Sequence, residues 1–303
     1  MVNIKINNKI IREGYPAYII AEIGSNFDRS LDRAKILAKL AKDAGADAVK
    51  IQNFLASKLV SKKGFSGLKV DYQAKWEKSV AEVYKEAEFP REWIQELFDY
   101  CKKIDIDFFS SPYDTEAVDL LEELGAPAYK IGSGEIDNLE FLKYVAKTKK
   151  PVILACGAST LEDVQEAVLT IRDAGNNQIV LLQCVTNYPA MLKDANLATM
   201  VAIKNEFKVE VGVSDHTIGK EGGGDDPLDG IVVPLVSVAL GGVIIEKHFT
   251  DDVKRKGQDH PFAMGAVVFK KMVESIRALE KTIGDGQKRV LESEKETFVI
   301  QRR

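Results

Sequence analysis

Eight times along this chain a short run of β-branched and aromatic residues gives way to a helical pattern, and this alternation constrains the fold more than any other feature. The runs are "AYIIAEIG" (17–24), "ADAVKIQ" (46–52), "IDFFSS" (106–111), "AYKIGS" (128–133), "PVILACG" (151–157), "QIVLLQC" (178–184), "VEVGVS" (209–214) and "GVIIEKH" (242–248). Between them lie amphipathic stretches such as "SLDRAKILAKLAKDAG" and "TLEDVQEAVLTIRDAG". The second has a capping-box-like start, Thr160 followed by Asp163, and stops at Gly175. Continuously apolar strands alternating with amphipathic helices call for a parallel sheet covered on its faces. Eight such units, closing near residue 282, predict an α/β fold of the (β/α)8 TIM-barrel type. No Gly-x-Gly-x-x-Gly follows the first strand, which argues against an open dinucleotide-binding sheet.

The reading divides the chain into an N-terminal β-hairpin capping the barrel (1–14), the barrel (15–283) and a charged C-terminal tail (284–303). Two irregular segments stand out: a long lysine-rich excursion at 53–89 and the insert "GKEGGGDDPLDG" after the seventh strand. A net charge of −4 gives no reason to expect nucleic acid or a membrane as partner. Cys101, Cys156 and Cys184 are odd in number and lack metal-site spacing, so reduced thiols and a cytoplasmic location are expected.

In a barrel of this kind the chemistry sits at the C-terminal ends of the strands. There the sequence places Glu22; Lys50 and Gln52; Ser110 and Ser111; Lys130, Ser133 and Glu135; Thr186, Asn187 and Tyr188; Ser214, Asp215 and His216; Glu246, Lys247 and His248; and, just beyond, Asp259 and His260. Lys50 and Lys130 lie inside apolar strands, where a lone ammonium is costly to bury. Either Glu22, Glu135 and Asp215 neutralise them, or they await a small anion carrying carboxylate or phosphate. His216 and His248 end adjacent strands and can meet over the barrel mouth, an arrangement suited to a divalent first-row metal. His260, in "GQDHP", reads equally well as a solvent-facing loop residue.

The stretches "YIIAEIGSN", "AGADAVKIQ", "PAYKIGSGE", "CVTNYP", "VGVSDHTIG" and "IIEKHFT…GQDH", in this order, resemble the sialic acid (N-acetylneuraminate) synthase family over about residues 15–285. The resemblance implies a transferase that condenses phosphoenolpyruvate with an open-chain acylamino sugar to give a nonulosonic acid and phosphate. It implies a divalent metal on His216 and His248, manganese first and magnesium or cobalt as alternatives. By the same resemblance Lys50, Ser111, Lys130, Ser133 and Ser214 would hold phosphoenolpyruvate, and Tyr188 and Asp259, with Thr186, Asn187 and Asp215, would complete the substrate site. Glu22 and Gln52 would face the reacting groups, Glu135 and Glu246 would assist proton transfer, and the protein would be a homodimer.

Three departures stand against that pattern. Asn26-Phe27-Asp28-Arg29 replaces the family's Asn-His-x-Gly, and Ala155-Cys156-Gly157 replaces Ser-Thr-Gly. The chain reaches "FVIQRR" about where the linker to the family's small antifreeze-like domain, which supplies an arginine to a partner's sugar site, would run, so either the sequence is shortened or this branch dispenses with the domain. The "GKEGGGDDPLDG" insert is then the candidate contact for the sugar's acyl group. Two other readings stay open: a Schiff-base aldolase using Lys130, and a non-catalytic sugar-binding descendant.

Overall fold

The computed structural model describes residues 3–59 and 78–301. Residues 60–77 of the long excursion lie outside the described residues. An antiparallel hairpin, β1 (Ile4–Ile6) and β2 (Lys9–Ile11), opens the chain. Eight parallel strands follow: β3 (Tyr18–Glu22), β4 (Ala48–Asn53), β5 (Asp107–Pro112), β6 (Tyr129–Ile131), β7 (Val152–Ala155), β8 (Ile179–Cys184), β9 (Glu210–Asp215) and β10 (Ile244–Thr250). They run side by side in the order β5-β4-β3-β10-β9-β8-β7-β6, and β5 packs beside β6 to bring the ends together as a TIM barrel. A two-residue strand, β11 (Met264–Gly265), pairs in parallel with the end of β10.

The outer layer includes α1 (Leu31–Asp43), α4 (Ile94–Lys103), α5 (Thr115–Leu124), α6 (Leu139–Ala146), α7 (Leu161–Asp173), α8 (Ala198–Phe207), α9 (Val232–Ala239) and α10 (Ala266–Ile283). Local sequence explains several of their starts. Ser30 accepts from the Arg33 amide to begin α1, Asp114 from Ala117 to begin α5, and Thr160 forms with Asp163 the capping box of α7. Between β4 and α4 lie the short helices α2 (Ala56–Leu59) and α3 (Val80–Ala87). The last helix, α11 (Lys295–Gln301), follows an exposed connection and buries no residue.

Along each barrel strand the side chains alternate between two layers. One set, including Ile19, Ala21, Val49, Ile51, Phe108, Val213 and Ile245, faces the helices. The other, including Tyr18, Ile20, Ala48, Phe109, Ala128, Ile153, Ala155, Val180, Leu182 and Ile244, fills the barrel together with Ile4, Ile6 and Ile11 of the hairpin. The hairpin therefore closes the N-terminal end with its own apolar side chains. At the other end the inward positions become polar, and the site begins there.

Candidate active site

Continuing the inward alternation leads from Ile20 to Glu22, from Ala48 to Lys50 and Gln52, from Phe109 to Ser111, from Ala128 to Lys130, and from Ile244 to Glu246 and His248. These residues line one open cavity, together with Ser133, Glu135, Thr186, Tyr188, Ser214, His216 and Asp259. Register places them: Glu22 lies opposite Lys50 on one side and His248 on the other, Gln52 opposite Ser111, and Glu246 opposite Ser214.

At the floor stand two lysine–glutamate pairs. The Lys50 ammonium is in close contact with the Glu22 carboxylate, donates to Ser111 Oγ at 3.0 Å, and lies 3.9 Å from Glu246. Lys130 Nζ lies 3.1 Å from Glu246 Oε1, which also accepts from Ser214 Oγ at 3.1 Å. Gln52 Nε2 donates to Glu22 Oε1 at 3.3 Å. Burial pushes the Glu22 carboxyl above its ordinary range, and repulsion from Glu246 adds to this against the opposing pull of Lys50. Burial acts the same way on Glu246, but Lys130 and Lys50 outweigh it and hold that carboxylate below the usual range. Burial would lower the Lys130 ammonium; Glu246, with Cys184 and Glu22, reverses this and keeps it charged.

Above the floor the His216 and His248 rings face one another with centroids 5.4 Å apart. His216 Nδ1 donates to the Val185 carbonyl at 2.7 Å; burial would lower this imidazole, but Cys184, then Val185 and Asp215, outweigh it and hold it above its ordinary range. His248 Nδ1 is buried with no hydrogen-bond partner among the described residues. Burial, reinforced by His216, Lys50 and Lys130, drives the His248 imidazole well below its ordinary range, so it is neutral. A neutral ring with an orphaned buried nitrogen beside a second imidazole fits a divalent metal. Among the described residues no three His, Cys, Asp or Glu side chains stand close enough to hold one, so such an ion would keep most of its coordination positions open. The Tyr188 ring lies 4.2 Å from that of His216, and the Phe262 ring 5.0 Å from that of His248, so aromatic faces wall this part of the cavity.

On the rim, Asp259 Oδ2 accepts from the Ser25 amide at 2.8 Å. Its carboxyl is raised by burial, against the lowering effect of those Ser25 contacts. This approach needs Gly24: at φ +46° any Cβ would stand 2.2 Å from Asp259 Oδ2. Opposite, Ser133 Oγ accepts from the Gly157 amide at 2.9 Å. Burial also raises the Glu135 carboxyl, which accepts from Asn138 at 2.9 Å.

Two expected site residues lie elsewhere. Asp215 falls between the inward-facing Ser214 and His216 and points into the layer between barrel and helices. There it meets Lys247 Nζ at 2.5 Å and accepts from the amide and hydroxyl of Thr217. It neutralises neither Lys50 nor Lys130; Glu22 and Glu246 do. Asn187 lines a neighbouring cavity with Asn196 and Thr199 rather than this one. His260 is not solvent-facing either: it is buried, with Nδ1 2.7 Å from Thr250 Oγ1 and Nε2 2.9 Å from Asp28 Oδ1. The sequence reading missed Ser25, Phe54, Tyr84, Tyr113, Cys184, Gln258 and Phe262, which also line the cavity. Cys184 alone carried a signal, since it continues the inward series Val180, Leu182.

The NeuB family profile matches residues 37–288. The chain belongs to the NeuB family. Its relatives include the N,N'-diacetyllegionaminic acid synthase of Campylobacter jejuni, 40% identical over 290 residues covering 94% of this chain and 83% of the relative. They also include the pseudaminic acid synthase of Helicobacter pylori, 36% identical over 276 residues covering 91% of this chain and 78% of the relative. Among solved structures, the N-acetylneuraminic acid synthetase of Leptospira borgpetersenii, in complex with citrate, superposes with a TM-score of 0.85 at 29% identity, covering 99% of this NeuB-family chain and 96% of that chain. Both of these curated relatives are named as synthases of sialic-type acids. In this NeuB-family protein no helix among the described residues is long and apolar enough to cross a membrane.

Proposed function

We propose that the protein condenses phosphoenolpyruvate with the open-chain aldehyde of an acylamino sugar, releasing a nonulosonic acid and inorganic phosphate. The observation that carries this reading is the meeting, in one cavity, of two facing imidazoles with two buried lysine–glutamate pairs. His216 and His248 would hold a divalent metal, manganese first, whose chemical contribution is to polarise the sugar aldehyde. Lys50 and Lys130, with Ser111, Ser133 and Ser214, bind the carboxylate and phosphate of phosphoenolpyruvate. The two lysines are already balanced by two carboxylates, so an entering anion favours the protonated form of Glu22, whose carboxyl burial has raised. Glu22 thus holds a proton beside the reacting carbons, and Gln52 orients it through their hydrogen bond.

C3 of phosphoenolpyruvate forms a bond to the aldehyde carbon with the electrons of its C2–C3 double bond, and the aldehyde oxygen takes up a proton. Water adds at C2, its proton passing to a carboxylate among Glu135, Glu246 and Glu22. The C2–O bond to phosphate then breaks, the C2 hydroxyl passes its proton to the departing phosphate, and the 2-oxo acid remains. Tyr188, Thr186 and Asp259 orient the sugar's hydroxyl groups. The Schiff-base alternative at Lys130 leaves the facing His216 and His248 unexplained, and the pairing with Glu246 favours the ammonium over the free amine that it needs.

The test is phosphate release from phosphoenolpyruvate with Mn²⁺ over a panel of 2-acylamino sugars. Sugar-dependent release is expected, abolished by EDTA and reduced at least about 100-fold in His216→Ala. Release that is indifferent to EDTA and to that substitution rules the proposal out, as does the absence of release with every sugar.

A further inference from the structure

The two facing imidazoles stand on adjacent strands, yet the ladder that joins those strands stops just short of one of them. Pairs between β9 and β10 run from Gly212 with Ile244 to Asp215 with Lys247, and His216 is the first residue beyond the last pair. His248 stays inside the sheet, opposite Glu22 of β3. His216 is anchored on its far side instead: its carbonyl accepts from the Ala190 amide at 3.0 Å, and its Nδ1 donates to the Val185 carbonyl.

Behind the barrel wall a side chain continues the connection where the ladder ends. The Lys247 ammonium meets the Asp215 carboxylate at 2.5 Å and also donates to the Thr217 carbonyl, so it grips the residues on both sides of His216. Lys247 is itself the residue before His248. Asp215 closes the cluster by accepting from the Thr217 amide at 2.9 Å and hydroxyl at 3.0 Å. One buried cluster therefore ties the neighbours of one imidazole to the neighbour of the other.

The insert after β9 seals this cluster. At Gly230, where φ is +89°, any Cβ would stand 2.7 Å from the Thr217 carbonyl oxygen and 3.0 Å from Lys247 Nζ. Among the described residues the insert contributes none to the lining of the catalytic cavity, so its packing bears on the wall behind the site rather than on the sugar. A buried ion pair is a weak source of stability, since apolar replacements often serve as well. What this pair adds is direction, because each of its hydrogen bonds ends on an atom next to an imidazole-bearing residue.

We propose that Asp215 and Lys247 are positioning residues that set the separation and orientation of His216 relative to His248, and through them the affinity of the site for its divalent ion. The inference rests on the metal assignment proposed above.

Mn²⁺ binding to the full chain, read from the electron paramagnetic resonance of the free ion, tests this in Lys247→Met, Asp215→Asn and the double variant, each at a temperature where it is folded. Lys247→Met should bind Mn²⁺ about tenfold more weakly, at the lower end of the losses that follow removal of groups supporting metal ligands. Asp215→Asn should lose less, because Lys247 keeps its bond to Thr217. Both single variants should unfold at lower temperature, since each leaves a buried charge unpaired. The double variant separates positioning from stability. Its thermal midpoint should return toward that of the wild type, while its Mn²⁺ affinity stays about tenfold down, because methionine cannot hold the Thr217 carbonyl. Phosphoenolpyruvate affinity, measured calorimetrically without metal, should change less than about twofold in all three, since Lys50 and Lys130 share no partner with the pair. Recovery of Mn²⁺ affinity together with stability in the double variant overturns the proposal and leaves the pair a purely structural role. Parallel losses of Mn²⁺ and phosphoenolpyruvate affinity also overturn it, as the mark of a general loosening. Wild-type Mn²⁺ affinity in every variant removes the positioning role and leaves the metal assignment standing, whereas a wild-type chain that binds no Mn²⁺ removes both.

Discussion

At the scale of single residues, one position along a strand decides between chemistry and architecture. Ser214 and His216 face the cavity, while Asp215 between them is buried against Lys247 on the other side of the barrel wall. All three are polar and all stand at a strand end, so residue type alone does not separate them. Their parity does. Asp215→Asn removes the charge that compensates a buried ammonium, and such losses cost about 3–5 kcal/mol. Chemical denaturation should record a drop of that order, with KM for phosphoenolpyruvate unchanged in the folded enzyme. A large change in KM with little loss of stability would return Asp215 to the substrate site. Lys50 and Lys130 were legible as buried cations and Glu22 as a candidate partner, but Glu246 was not. Glu246 lies far from both lysines in sequence, and only closure of the barrel brings it to them.

At the scale of elements, the loops that follow the strands complete the site and are the part least readable in advance. Strands announce themselves by continuous apolar runs, whereas Tyr84 of α3 and Phe262 of the segment before β11 have neighbours that are set by packing alone. The loop after β10 is fastened to α1 by Asp251, whose two oxygens meet the Arg33 guanidinium at 3.1 and 3.2 Å. Arg255 joins from the other side. Burial opposes ionisation of Asp251, but Arg33 and then Arg255 outweigh it and hold the carboxyl down to about 2. An unfolded aspartate titrates near ~4, so the stabilisation is complete above that pH and is lost as the pH falls from about 4 toward 2. Acid titration of thermal stability should show this loss, and Asp251→Asn should flatten it. A variant that keeps the full acid dependence would show that other carboxylates carry it.

At the scale of the whole molecule, one end of the barrel is sealed and the other is open, and the same inward alternation produces both. Ile4, Ile6 and Ile11 fill the end opposite the catalytic cavity, so the hairpin acts as a stopper contributed from outside the eight-unit repeat. Ile6 is fully buried, and truncating it to alanine should cost about 2–5 kcal/mol. That cost should appear as a lower denaturation midpoint while KM for both substrates holds, because the cavity floor at Lys50 and Lys130 lies beyond the apolar layers. A variant that keeps wild-type stability would mean that the barrel closes without its plug.

The barrel and most of the polar residues on its open rim were legible in the chain alone. A strand buried on both faces must be apolar throughout, so the polar interruptions at Glu22, Lys50, Lys130, Glu246 and His248 stand out as exceptions within their own apolar runs. The chain also carried the alternation that would have separated Asp215 from His216. Tertiary structure alone decided which charges neutralise which, and that His260 is a buried strut rather than an exposed loop residue. Those outcomes depend on contacts between segments remote in sequence, such as His260 and Asp28, 232 residues apart, and no local pattern in the chain encodes such a meeting.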